Sequence, residues 1–158
     1  MLKWSTLQIH YDNGGTDANE AVEAIFPTAL AGTLTLVLYN GGSTATQAAA
    51  AVVSDTFTLP NGTAIGTTGF SVASVPTPGL QNGSPDGIAI VCGGTTVAQF
   101  LSYEGVLTAS TGPAAGMTSM DIGVSEAGAT LPLCTVPSLC RQYAAVAMSS
   151  LCHDSQQQ

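Results

Sequence analysis

About seven short segments of period two, each closed by Gly, Pro, Asn or Ser, constrain this chain more than any other feature. The clearest is Thr33-Leu34-Thr35-Leu36-Val37-Leu38-Tyr39, whose β-branched and aliphatic side chains suit a pleated, half-buried surface. Asn40-Gly41-Gly42 closes it with residues that tolerate positive φ. Residues 6–11, 51–59, 69–75, 87–92 and 97–103 read the same way, the last two joined through Gly93-Gly94 as a hairpin. Residues 20–25 are a weaker strand, because their Ala and Glu would also suit a helix. Between residues 76 and 86 lies a dense turn cluster. No helix-forming stretch is expected before the tail, and no repeat of 20 to 50 residues is visible. The expectation is an all-β, antiparallel β-sandwich of about seven strands. Leu34, Leu36, Leu38, Tyr39, Ile88, Ile90 and Phe100 should lie in or near its core, with Ile88, Ile90 and Cys92 on one face.

After residue 105 the texture changes to Gly, Ala, Ser, Thr and Met, a long loop of the kind that often carries function. Beyond residue 130 it changes again. Pro132 and Pro137 cannot donate ladder hydrogen bonds, and residues 137–152 read as a short helix. The chain therefore divides into a sandwich domain, 1–130, and an atypical tail, 131–158, partly helical or disordered. If the tail leaves the last sheet edge uncovered, self-association through that edge is expected.

Charge limits the partners. The chain of 158 residues holds two basic residues, Lys3 and Arg141, against ten carboxylates, for a net charge of -8. Direct nucleic-acid binding is excluded on that ground, since it rests on Lys and Arg displacing counterions from phosphates. No apolar run reaches the length of a membrane span, so no membrane insertion is expected. Residues 1–6 contain no apolar signal segment. The four cysteines, Cys92, Cys134, Cys140 and Cys152, match no zinc spacing. They read first as a small apolar Cys92 plus tail cysteines, with a disulfide in the tail as the alternative.

Several residues invite a chemical reading. Asp12, Asn13, Asp17 and Glu20 border Gly14-Gly15, and oxygen ligands in such a loop suit Ca²⁺, though weakly and without the EF-hand spacing. The competing reading is a turn whose Asp and Asn bind their own backbone, and it is preferred. His10 and Asp12 share a strand face, the pairing that general-base chemistry needs. A metal-dependent hydrolase or phosphoesterase built on His10, Asp12 and Asp17 is thus the alternative to a non-catalytic module. Asp86 is expected to serve turn chemistry, and Glu104 to cap a hairpin end on backbone N–H groups. Asp121 and Glu126 are expected to bind loop amides. Asn61-Gly62-Thr63 and Asn82-Gly83-Ser84 are glycosylation sequons, the second disfavoured by Pro85.

Five strings carry a resemblance. Ile9-His10-Tyr11-Asp12-Asn13-Gly14-Gly15-Thr16-Asp17-Ala18-Asn19-Glu20 resembles the opening strand–turn–strand of bacterial and algal lamin-tail-like domains. Leu36-Val37-Leu38-Tyr39-Asn40-Gly41 resembles the third strand of those domains. Gln81-Asn82-Gly83-Ser84-Pro85-Asp86-Gly87-Ile88-Ala89 and Phe100-Leu101-Ser102-Tyr103-Glu104-Gly105 resemble their central hairpin. Gly112-Pro113-Ala114-Ala115-Gly116-Met117-Thr118-Ser119 and Asp121-Ile122-Gly123-Val124-Ser125-Glu126 resemble their long loop. The resemblance spans about residues 7–130. It implies an immunoglobulin-like sandwich acting as a non-catalytic accessory domain, not an enzyme, that contacts a protein, glycan or matrix partner. It also implies an extracellular setting, often within a larger protein. Two departures stand out. Leu7-Gln8-Ile9 lacks the acidic residue that usually precedes the His-Tyr-Asp string, and the tail does not continue the family's last strand.

Overall fold

A computed structural model describes residues 7–11, 18–83 and 85–123. The tail, residues 131–158, lies outside the described residues. The fold is an all-β sandwich of two sheets. One sheet has the order β1-β2-β6-β5, from strands Leu7–His10, Ala21–Pro27, Phe70–Pro76 and Thr63–Ala64. The other has the order β4-β3-β7-β8-β9, from Val52–Thr58, Leu34–Asn40, Asp86–Cys92, Thr96–Tyr103 and Met120–Asp121. Each of the seven expected strands is present. Every pairing among them is antiparallel, and the two-residue β9 adds a parallel contact to β8.

Residues 20–25, the ambiguous segment, fold as part of β2. Strict alternation decides it: Val22, Ala24 and Phe26 are buried, while the residues between them are half-buried. The register sets Val22 opposite Val75 and Ala24 opposite Ala73, so the apolar face of β2 meets the apolar face of β6. The expectation of no helix before the tail is corrected. Ala45–Ala48 (α1) forms one turn, whose Thr44 side chain accepts the Gln47 N–H as an N-cap. Thr28–Leu30 forms a 3-10 turn.

The core is double. Between the sheets lie Val22, Phe26, Leu34, Leu36, Leu38, Ile88, Ile90 and Cys92. A second cluster covers the outer face of the five-stranded sheet and holds Val37, Tyr39, Ala89, Val91 and Phe100 under Ala51, Leu107, Ala109 and Ala114. Tyr39 and Phe100 are therefore core residues of the outer cluster, not of the space between the sheets. Every residue of β7 is buried, because both of its faces are covered. That explains why Gly87-Ile88-Ala89-Ile90-Val91-Cys92 is nearly continuous in apolar character instead of alternating with polar residues.

The cover is the long loop. Its two arms pair with each other, Ala109 N–H donating to Met117 O and Ser119 N–H to Leu107 O. The loop is tied to the sheet by Ala114 N–H donating to Tyr39 Oη, and by Ser119 Oγ donating to Ser102 Oγ. Gly112 has φ +69, and a Cβ there would sit 2.4 Å from Val53 Cγ2. Only glycine fits that crossing of the loop over β4. Cys92 is disulfide-bonded, its partner lying outside the described residues. The reading of Cys92 as a mere small apolar side chain is thereby corrected.

Candidate functional site

At one pole the antiparallel register gathers the strand ends Tyr11, Ala21, Asn40, Pro76, Asp86 and Tyr103. Polar side chains from these ends and their loops interlock there. Tyr11 stacks on Tyr103 with ring centroids 4.1 Å apart, and its hydroxyl donates to Glu104 Oε1 at 2.8 Å. Glu104 adopts φ 58, a left-handed conformation uncommon outside glycine, at the point where β8 ends. It accepts the Tyr11 hydroxyl, a side-chain contact joining the two sheets that the expected backbone cap did not anticipate. Tyr103 Oη donates to Gln81 O, and Asn40 Nδ2 donates to Gln81 Oε1. Glu20, also buried, accepts Gly79 N–H, while its backbone oxygen accepts Thr77 N–H. Glu20 thus anchors the 77–80 turn.

Asp86 lies at the centre, 1% exposed. Its Oδ1 accepts Gly41 N–H at 3.0 Å, and its Oδ2 accepts no hydrogen bond among the described residues. Burial pushes its carboxyl up to about 6, and the nearby charge of Glu104 pushes the same way. The Gly41 and Gly83 backbone amides oppose the rise. Tyr103 is held well above the ordinary tyrosine range, first by burial, then by Asp86. The described residues contain six carboxylates and no Lys or Arg, and hydroxyls and amides meet the carboxylates at this pole. The pole can take up a proton near mild acidity. Among the described residues, no group of three or more His, Cys, Asp or Glu is placed to hold a metal ion.

Of the residues singled out in the sequence, Asp12, Asn13 and Asp17 lie outside the described residues, as does Glu126. His10 is half-buried at the end of β1, in register with Ala21. Asp121 accepts Gly123 N–H, the loop-amide role expected of it. The sequence did not reveal that Tyr11, Gln81, Asp86, Tyr103 and Glu104 meet. Tyr11 and Glu104 are 93 positions apart, and only the sheet register brings them together.

A second feature lies on the outer face of the five-stranded sheet. An open groove runs between the long loop and strands β3 and β4, lined by Thr35, Val37, Val53, Thr56, Thr111 and Pro113 among others. The adjoining β4 edge is guarded. Val53 N–H donates to Thr111 Oγ1, Thr56 N–H donates to Asp55 Oδ1, and the register shifts between Leu38 and Tyr39. A bulge, a charge and a capped donor all discourage pairing with another strand.

No family model matches the chain, and the searches of curated proteins and of solved structures return no match.

Proposed function

We propose that the chain is a non-catalytic binding module of immunoglobulin-like, lamin-tail-like type, an accessory domain of an extracellular protein. Its partner is a basic polypeptide segment that inserts an apolar side chain into the groove beside Pro113. The observation that carries this reading is the groove itself, in which half-buried Val53 and exposed Pro113 are flanked by Thr35, Thr56 and Thr111 over a floor of buried Val37. Those threonines supply hydroxyl partners beside apolar contact, the mixture a recognition site uses. A chain of net charge -8 favours a cationic partner through long-range attraction. The polar cluster at the pole is engaged in joining the sheets, and the guarded β4 edge does not invite strand addition. The resemblance over residues 7–130 supports the accessory-domain part of the reading.

Selection of a displayed random-peptide library on the full chain tests it. Peptides pairing Lys or Arg with an aliphatic residue should be enriched, and their binding should weaken as salt rises. Thr56→Trp, which fills the groove from an exposed position, should abolish that binding. Enriched peptides that bind Thr56→Trp as well as wild type would refute the groove assignment.

A further inference from the structure

We propose that Asn61 is an N-glycan acceptor, modified when the chain folds in an oxidising secretory compartment. Two independent observations converge on it. The first is the disulfide at Cys92, a bond that persists in oxidising compartments and is rare in reducing ones. The second is the placement of Asn61-Gly62-Thr63. The sequon lies between β4 and β5, and every residue from 60 to 69 is exposed. Neither the Asn61 amide nor the Thr63 hydroxyl is used in a hydrogen bond among the described residues. The Asn61 side chain lies over Gly32, with Oδ1 only 3.1 Å from where a Cβ would sit, so the amide rests on the surface of that turn.

Gly62 holds the sequon in this position. It has φ +73, and a Cβ there would fall 2.6 Å from Val72 O. The backbone therefore presses against β6 at Gly62, while its two neighbours Asn61 and Thr63 are exposed. A glycan on Asn61 would stand beside the two-residue β5 at the edge of the four-stranded sheet. A bulky hydrated group there shields an edge that its shortness alone protects. The transfer is a substitution at the sugar. The Asn61 Nδ2 forms a bond to the anomeric carbon of a lipid-pyrophosphate-linked oligosaccharide, the bond from that carbon to the phosphate oxygen breaks, and the pyrophosphate leaves with the pair of electrons. The proton lost from Nδ2 goes to the catalytic base of the transferase. Asn82-Gly83-Ser84 shares the motif but is followed by Pro85, and it borders the buried Asp86.

The test is secretion of the full chain behind a cleavable leader from a glycosylating eukaryotic cell, followed by intact-mass and peptide analysis with and without an N-glycan amidase. Wild type should carry one glycan, and amidase should leave aspartate at position 61. Asn61→Gln and Thr63→Ala should each lose that glycan, while Asn82→Gln keeps it. Secreted wild-type chain with unmodified Asn61 overturns the proposal. A glycan found on Asn82 alone overturns it equally.

Discussion

Replacing Asp86 with asparagine removes a buried charge while keeping the shape of the side chain. The folded carboxyl sits at about 6 against an ordinary 3.8. At about 1.36 kcal/mol for each pKa unit, that rise is worth about 3 kcal/mol. The sign follows from proton linkage. The folded state binds this proton more tightly than the unfolded chain does, so stability falls as pH rises between the two values. The contribution is fully present below about pH 4 and lost as pH passes through about 6. At neutral pH the folded state therefore carries the ionised, half-satisfied Asp86 at full cost. In the Asp86→Asn variant the side-chain oxygen would keep the Gly41 N–H bond, and the new NH₂ group would replace the unpartnered Oδ2. An unpaired buried amide costs about 1–3 kcal/mol, so the expected net gain at neutral pH is about 1 kcal/mol. In a chain of this size that is about 2–4 °C in Tm. The sharper readout is the slope. Urea denaturation across a pH series should show wild-type stability declining from mild acid to neutrality, and the decline should largely vanish in Asp86→Asn. Glu104→Gln should move the wild-type transition to lower pH, because the Glu104 charge helps raise Asp86. Wild-type stability that is level or rises over that range would refute the reasoning, as would an Asp86→Asn variant that keeps the full slope.

Other substitutions probe the packing. Leu36, fully buried between the sheets, should cost about 2–5 kcal/mol when cut to alanine, read by chemical denaturation. Gly112→Ala should lose about 2 kcal/mol or more, since positive φ and the Val53 contact both oppose a Cβ, and amide exchange at Ala114 should quicken as the loop lifts. Cys92→Ser should cost about 2–4 kcal/mol. Peptide mapping without reductant should find Cys92 cross-linked, and a free thiol there would contradict the structure.

The strands were legible because their signals are local. Leu34, Leu36 and Leu38 alternate with Thr35 and Val37, and Asn40-Gly41-Gly42 closes them, all within ten residues. Residues 20–25 were ambiguous for the opposite reason. Ala21, Glu23 and Ala24 have no strong strand preference, and pairing with β6 decided their conformation. The outer core was hidden in the same way. A run of Gly, Ala, Ser and Thr reads as a loop, and nothing within it reveals that Leu107, Ala109 and Ala114 pack on Tyr39 and Val91. At the pole, each member looked ordinary alone. Asp86 after Pro85 resembles a turn aspartate, and its burial becomes visible only once β3 and β8 flank it.

The two cores assign different work to the two surfaces of the five-stranded sheet. Its inner face closes the sandwich, and its outer face would be a conventional solvated face were β7 polar on one side. It is not: Ala89 and Val91 are fully buried beneath the loop. The loop is therefore part of the fold, held by Tyr39 and Ser102 rather than free to move independently. What it leaves open is a groove with half-buried Thr35 and Val53 and exposed Thr56 along the strands, above the buried Val37. On the proposed reading, a partner entering that groove would contact the loop near Thr111 and Gly112, in a stretch tied down by Val53 N–H donating to Thr111 Oγ1 and by Ala114 N–H donating to Tyr39 Oη. Such a site is organised before its partner arrives, so little loop-ordering entropy opposes binding.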